Sequence, residues 1–325
     1  MRSVCVVGLG LIGGSVLRAA SAAGRAVWGT AGSAEDVQGA IGEEFTVTDV
    51  DSALRRAAEE DALVVVAVPL PNVDAVLRKV GDLAPNCLLT DVVSVKGPVA
   101  AAVARYAPDT RFAGGHPMAG KSASGWSASL AALFSGAAWV VTADEETTLE
   151  AWREAAQLAL DCGAGVVPTT TTEHDAAVAR ISHLPHVMAA VLAACGADGG
   201  PLAMALGAGS FADGTRVASS RPELVLAMCE GNRDALLGAV DDALGRLGAA
   251  RGALASTGAL GATIRSGHAG REVFEGQRDA AKAQAMVDLA GQDPLAELRL
   301  IGAQGGRVTG FDGDLAIAAL PVLAD

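Results

Sequence analysis

The sequence predicts a two-part α/β protein: a doubly wound, mostly parallel sheet first, an all-helical domain second, and a short β-hairpin tail. Three observations carry this. Strand-length apolar runs alternate with amphipathic stretches through the first half. From about Thr171 the β signal disappears and helical periodicity takes over. The tail then changes character again, with a hairpin signal at Asp312–Gly313. The domains are therefore read as 1–170, 171–293 and 294–325. A chain of 325 residues with 51 % hydrophobic content is long enough for two cores.

The elements follow in order. "SVCVVGL" is a strand and "IGGSVLRAASAAG" a helix stopped at Gly24; "AVWGT" is the second strand. "DVDSALRRAAEE" is a helix with Asp51 or Ser52 near its cap. "ALVVVAVP" is a buried strand stopped by Pro69, followed by helix "PNVDAVLRKVGDL" and strand "CLLTDV". "GPVAAAVARYA" is a helix with Pro98 in its first turn. "RFAGGH" and "AAWVVTA" are strands, "TLEAWREAAQLALDCG" a helix, and "GVVPTT" the last strand of this half. Beyond it, "EHDAAVARISHLPHVMAAVLAACG" and later segments read as helices broken at "GADGGP", "GAGSFADG" and "SSRP".

Composition excludes several function classes. Net charge is -13 with no Lys/Arg block, which argues against nucleic acid and anionic membrane as partners. The N-terminal apolar run carries a phosphate-loop glycine pattern rather than a signal-peptide cleavage region. No charge-free apolar run reaches the roughly eighteen residues of a membrane span, so a soluble, cytoplasmic protein is expected. The five cysteines are scattered without a CxxC pair and are expected as buried free thiols, with no metal framework.

"VVGLGLIGGS" places Gly8, Gly10 and Gly13 in the G-x-G-x-x-G spacing, after a strand and at a helix start. The first glycine permits a tight turn, the second lets backbone approach a pyrophosphate, and the third lets helix and strand pack closely. The helix N-terminus stabilises the anion. The first domain is thus Rossmann-type, with Gly8, Leu9, Gly10, Leu11, Ile12 and Gly13 around a dinucleotide and Val68 and Pro69 beside it. The second strand ends "VWGTAGSAED", so Thr30 or Ala31 stands where an NAD-type fold carries an acid. Nothing there repels a 2′-phosphate, Thr30 and Ser33 offer it hydroxyls, and Arg25 is the nearest guanidinium. The cofactor is read as NADP or NAD, with NADP preferred; the alternative is that Glu35 or Asp36 reaches back to the ribose.

Three further motifs accumulate. "TDVVSVKGPV" holds Asp91, Ser94 and Lys96 at a strand end; "GGHPMAGKSASG" holds His116 in a Gly/Pro turn; "EHDAAVARISHLPH" holds His174, His183 and His186. With the glycine loop, this order resembles the prephenate/arogenate dehydrogenase family of tyrosine biosynthesis, from about Val4 to Met228. The resemblance implies oxidative decarboxylation of a cyclohexadienol carboxylate, with hydride passed to nicotinamide and the ring aromatised. Prephenate giving 4-hydroxyphenylpyruvate is the main reading, and arogenate giving tyrosine the alternative.

Hydride loss from a carbinol carbon builds positive charge unless the hydroxyl proton is accepted, a task that suits an imidazole near neutrality. A strand end before a Gly/Pro turn places such a group at the carboxyl edge of an open sheet, where ligands bind. His116 is the expected base or acceptor, and a turn-capping histidine is the structural alternative. By resemblance, Ser94 orients His116 and the substrate hydroxyl. Lys96 receives no catalytic role. The resemblance also implies that Arg216, in "D-G-T-R", binds a substrate carboxylate, with Arg221 as its control, and that His186 lines the substrate pocket. Asp213 and Ser122 complete the expected substrate contacts. Where the family often reads "H-P-M-A-G-T-E", this chain has Lys121 and Ser122. His174 is expected to orient its helix or line the pocket rim. A homodimer through the helical domain is also implied, its faces offered by "VMAAVLAACG" and "ALLGAVDDALGRLGAARGAL". Two rivals remain: a β-hydroxyacid-type reductase, which needs a catalytic lysine where only Lys282 is available, and a non-catalytic nucleotide sensor.

Overall fold

The computed structural model describes residues 1–121 and 123–322. The chain forms two compact units: one of residues 1–174 and the chain from 281 onward, the other of residues 175–280.

The first unit opens with β1 (Val4–Val7), α1 (Leu11–Ala22), β2 (Val27–Thr30), α2 (Ala34–Gly42), α3 (Val50–Glu59) and β3 (Leu63–Val66). It continues with α4 (Val73–Leu83), β4 (Leu88–Asp91), α5 (Gly97–Tyr106) and β5 (Arg111–Ala113). These five strands form a parallel sheet in the order β2-β1-β3-β4-β5. Its central strands are apolar along their whole length because helices cover both faces. The cap of α3 is Asp49, whose carboxylate accepts from Ser52 N at 2.9 Å, rather than Asp51 or Ser52. Asp49 alone has the extended backbone that aims a side chain back at the first turn.

"RFAGGH" is two strands rather than one. β5 ends at Ala113, and after Gly114 the chain enters a second sheet as β6 (Gly115–Pro117). There it runs antiparallel to β7 (Ala138–Thr142), which pairs in parallel with β8 (Gly165–Thr169) across α6 (Leu149–Asp161). Gly114 N is drawn to the Thr142 hydroxyl at 3.0 Å, fixing the switch.

The second unit follows α7 (Thr171–Val178) and a π-helical turn at Ala179–His183. Its helices are α8 (Leu184–Asp198), α9 (Gly200–Ala205), α10 (Gly209–Thr215), α11 (Pro222–Gly231), α12 (Arg233–Ser256) and α13 (Gly261–Asp279). Pro185 lies in the first turn of α8, where a missing N–H costs nothing.

The chain then returns to the first unit as β9 (Lys282–Asp288), α14 (Pro294–Ala303), β10 (Arg307–Asp312) and β11 (Leu315–Pro321). The hairpin turns at Gly313, whose positive φ of 57° suits a tight β-turn. β10 pairs with β8, completing a six-stranded sheet in the order β6-β7-β8-β10-β11-β9. The compact units divide at 174/175 and 280/281. β9 was expected to be helical: "KAQAMVD" is rich in helix formers, and only its ladder with β11 makes it a strand. Cys5, Cys87 and Cys162 are buried, whereas Cys195 is exposed and Cys229 half-buried. Burial pushes the first three thiols up to about 12.

Candidate active site

Asp91, at the end of β4, is fully buried, and a carboxylate there is costly unless paired. Three donors satisfy it. Lys96 Nζ pairs with Oδ2, Val93 N donates to Oδ2 at 2.9 Å, and Gly115 N donates to Oδ1 at 3.1 Å. Lys96 Nζ also donates to the Gly115 carbonyl at 2.6 Å. One buried ion pair thus holds both backbone groups of Gly115, the residue before His116. It ties the loop carrying half-buried Ser94 to the strand carrying His116. A Cβ on Gly115 would lie 2.4 Å from the Asp91 carbonyl, so this close approach requires glycine.

His116 is half-buried on β6, and its Nδ1 lies 2.8 Å from Nε2 of His174. The rings meet edge to face, with centroids 5.1 Å apart and planes at 76°. One of the two nitrogens donates and the other accepts. His174 is buried in the first turn of α7, placed there by a reciprocal cap. Glu173 N donates to the Thr170 hydroxyl at 3.1 Å, and Thr170 N donates to Glu173 Oε2 at 3.1 Å. The Thr170 backbone and hydroxyl bonds hold the Glu173 carboxyl below the usual carboxylate range. Asp144 adds two more bonds, accepting from Thr171 N at 2.8 Å and from its hydroxyl at 2.7 Å. His174 therefore lies against the ring of His116 rather than on a rim. The "T-T-T-E-H" capping pattern was readable in sequence; its partner 58 residues away was not.

The glycine loop fits a dinucleotide. Gly8 has φ +109°, and a Cβ there would meet the Ala67 carbonyl at 2.7 Å. A Cβ on Gly13 would lie 1.8 Å from the Gly8 carbonyl, whereas Gly10 faces open space. Gly10 caps α1 without any side-chain bond, leaving the N-terminal amides to an anion. Leu11 and Ile12 are half-buried at this helix start, and after β3 Val68 is half-buried and Pro69 exposed. Leu9, by contrast, sends its side chain into the core against Gly29, so only its backbone faces the loop. Thr30 is buried, and its carbonyl accepts from Gly8 N at 2.8 Å.

Two residues weighed for the 2′-position are engaged elsewhere. Arg25 is buried and paired with Glu154 at 2.5 Å and Asp161 at 2.6 Å, so it is not a phosphate ligand. Asp36 accepts from Trp126 N at 2.6 Å. The Ser33 hydroxyl accepts from Asp36 N at 3.3 Å as the cap of α2.

Within the helical unit, α8, carrying half-buried His186, packs on α10 and on the turn that starts at exposed Arg216. His186 Nδ1 donates to the Ser182 carbonyl at 2.8 Å, since a carbonyl only accepts; this leaves Nε2 as the acceptor of the neutral ring. His183 is instead buried, 3.1 Å from Asn232 Nδ2, which also donates to the Asp175 carbonyl at 2.8 Å. Asp213 is exposed on α10, and Arg221 sits 4.0 Å from Glu223. Ser122 lies outside the described residues. Among the described residues, no group of three or more His, Cys, Asp or Glu side chains is placed to hold a metal ion. The helical run Thr171–Asp198 is long and apolar enough to cross a membrane, with mean hydropathy 1.4 and 22 % of that window buried.

Comparison with known proteins sets this geometry in a family. The prephenate dehydrogenase nucleotide-binding domain matches residues 17–168, and the prephenate dehydrogenase dimerization domain matches residues 170–258. The prephenate dehydrogenase of Bacillus subtilis is 31 % identical over 248 residues, 74 % of this chain and 67 % of that protein. The cyclohexadienyl dehydrogenase of Zymomonas mobilis is 30 % identical over 267 residues, 78 % of this chain and 89 % of that protein. A Corynebacterium glutamicum structure assigned as a prephenate dehydrogenase is 42 % identical, with TM-score 0.88, covering 94 % of this chain and 98 % of that one. The Aquifex aeolicus prephenate dehydrogenase, solved with hydroxyphenyl propionate and NAD+, shares the fold at TM-score 0.76 and 23 % identity over 84 % of this chain and 98 % of that one. The chain belongs to the prephenate dehydrogenase family and is an NAD(P)-dependent dehydrogenase.

Proposed function

We propose that the chain converts prephenate to 4-hydroxyphenylpyruvate in tyrosine biosynthesis, in the cytoplasm, with NADP preferred over NAD. The observation that carries this reading is His116, held on β6 by the Lys96–Asp91 pair and in ring contact with His174. Bound at the glycine loop formed by Gly8, Gly10 and Gly13, NAD(P) would supply the acceptor for the hydride of the carbinol carbon. His116 takes the hydroxyl proton as the carbonyl forms, Ser94 orients that hydroxyl, and the bond to the ring carboxylate breaks, its electron pair entering the ring as carbon dioxide leaves. For Nε2 of His116 to be the acceptor, its Nδ1 carries a proton and donates to His174 Nε2. His174 is thus a positioning residue that sets the tautomer. Arg216 supplies the guanidinium for a substrate carboxylate, with His186 and Asp213 as further substrate contacts. The absence of an acid at Thr30–Ser33 supports the NADP preference.

The helical unit pairs two copies of the chain. Leu237, Leu244, Leu247 and Leu254 on α12 and Val191 and Leu192 on α8 are exposed, which suits a protein partner. The same partner, rather than lipid, covers the apolar run Thr171–Asp198.

The test is the initial rate of nicotinamide reduction with prephenate or arogenate, each with NAD or NADP. Prephenate with NADP is expected to be fastest. A dominant arogenate rate selects the second reading, which the 28 % identical Synechocystis arogenate dehydrogenase structure, at TM-score 0.71 over 84 % of this chain and 100 % of that one, keeps in view. Silence in all four pairings, with dinucleotide still bound, overturns the chemistry.

A further inference from the structure

Asn232 stands where α12 begins and is of a residue type that helices prefer as a cap, yet its side chain makes no capping bond. It is buried, at 6 % exposure, and its amide is engaged elsewhere. Nδ2 donates to the Asp175 carbonyl at 2.8 Å and lies 3.1 Å from His183 Nδ1. A carbonyl only accepts, so the amide group facing both partners is the NH2, and its second hydrogen meets the ring. His183 Nδ1 is therefore an acceptor, and the proton of the neutral ring sits on Nε2.

The two partners of Asn232 bracket one feature, the π-helical turn Ala179–His183. Asp175 precedes the turn on α7, and His183 is its last residue. Leu184 N donates to the carbonyl of Ala179, five residues back. Single π turns are rare within helices and often mark functional sites. One extra residue in a turn shifts the face taken by every later side chain by about 100°. Both α11 and α12, which meet at Asn232, pack on this turn.

The turn also decides how the ring of His186 is held. The Ser182 carbonyl lies inside the turn and accepts from His186 Nδ1 at 2.8 Å. The turn directs the carbonyl, and the carbonyl directs the ring.

We infer that Asn232 is a positioning residue for the reaction: by holding Asp175 and His183 it fixes the π-helical turn, and through Ser182 it aims Nε2 of His186 at the substrate. This rests on the reading of His186 as a substrate contact. Asn232 itself touches no reacting atom.

Asn232→Leu keeps the branched shape and deletes both donors; because the native side chain makes no cap bond, none is lost. In steady-state assays with the faster of prephenate and arogenate, it should raise KM by about tenfold or more. The turnover number should stay within about threefold and dinucleotide affinity should be unchanged, as loss of a binding contact requires. His186→Ala should do the same, and the double variant should be no worse than His186→Ala alone, since both remove one interaction. Independent structural damage would multiply the two effects instead. Long-range proton–nitrogen correlation spectra read the ring geometry without substrate. In the wild-type chain His183 should show a bare Nδ1 and His186 a protonated one; in Asn232→Leu the His186 pattern should give way to mixed tautomers. A protonated Nδ1 on wild-type His183, or an unchanged His186 spectrum in Asn232→Leu, overturns the positioning role. So does an unchanged KM in Asn232→Leu beside a raised KM in His186→Ala. An unchanged KM in His186→Ala overturns the substrate reading of His186, and this inference with it.

Discussion

The two units treat their apolar residues in opposite ways. In the first, Leu63, Leu77, Leu88 and the valines of β1 and β3 are buried, and two clusters fill the faces of the parallel sheet. In the second, large side chains such as Leu202, Leu206, Leu244 and Leu247 are exposed, and Leu236 is among its few buried ones. The nucleotide-binding unit satisfies itself; the helical unit presents a surface that needs covering. His116 and the exposed helical surface can thereby be damaged one without the other.

The sharpest separation is expected from His116→Asn. Turnover should fall by about 10²–10⁴-fold, the usual worth of a positioned proton acceptor, with dinucleotide affinity and solution mass unchanged. Steady-state rates, cofactor fluorescence titration and sedimentation check the three parts. Lys96→Met attacks the support rather than the acceptor. It strands the buried Asp91 carboxylate, and urea unfolding should show a loss of about 3–5 kcal/mol. Equal stability would mean that the pair is dispensable.

A matched pair of leucines tests the contrast between the units directly. Leu63→Ala should cost about 2–5 kcal/mol, because it opens a cavity in a closed core. Leu247→Glu should leave unfolding of the dissociated chain within about 0.5 kcal/mol of wild type and lower the mass instead. If Leu247→Glu unfolds the chain, the helical unit has a hidden core and the contrast fails. The smallest effect belongs to Glu173→Gln, which weakens the cap that places His174, by about 0.5–2 kcal/mol. The folded Glu173 carboxyl lies below its usual range, so its contribution is complete above the unfolded carboxylate pKa. It is lost as pH falls through the folded value. The variant should match wild type most closely at low pH and differ most near neutrality, read by thermal melts across pH.

Local signals carried much of this into the sequence. The Gly8–Gly13 spacing, the Val-rich strands and Pro185 at a helix start each act within a few residues, and each was legible. The His116 turn was singled out by its glycines and proline. Three features depended on distant chain. β9 takes its conformation from β11, Arg25 is claimed by acids on α6, and His174 finds His116 through a strand–helix junction. Composition cannot report such pairings, since the same residues elsewhere would do something else. The division of "RFAGGH" between two sheets was hidden for the same reason: one glycine reroutes a strand whose propensity continues unbroken.

That rerouting has a consequence for how the chain is made. His116 lies in the sheet that β10, β11 and β9 complete, and those strands follow the whole helical unit in the chain. On a ribosome, the glycine loop and its parallel sheet can form early, from local crossovers. The second sheet cannot close until β10 emerges and finds β8, a contact of long sequence separation and correspondingly slow formation. A nascent chain stalled after residue 280 would hold its nucleotide-binding half folded while the sheet bearing His116 still lacked half its strands.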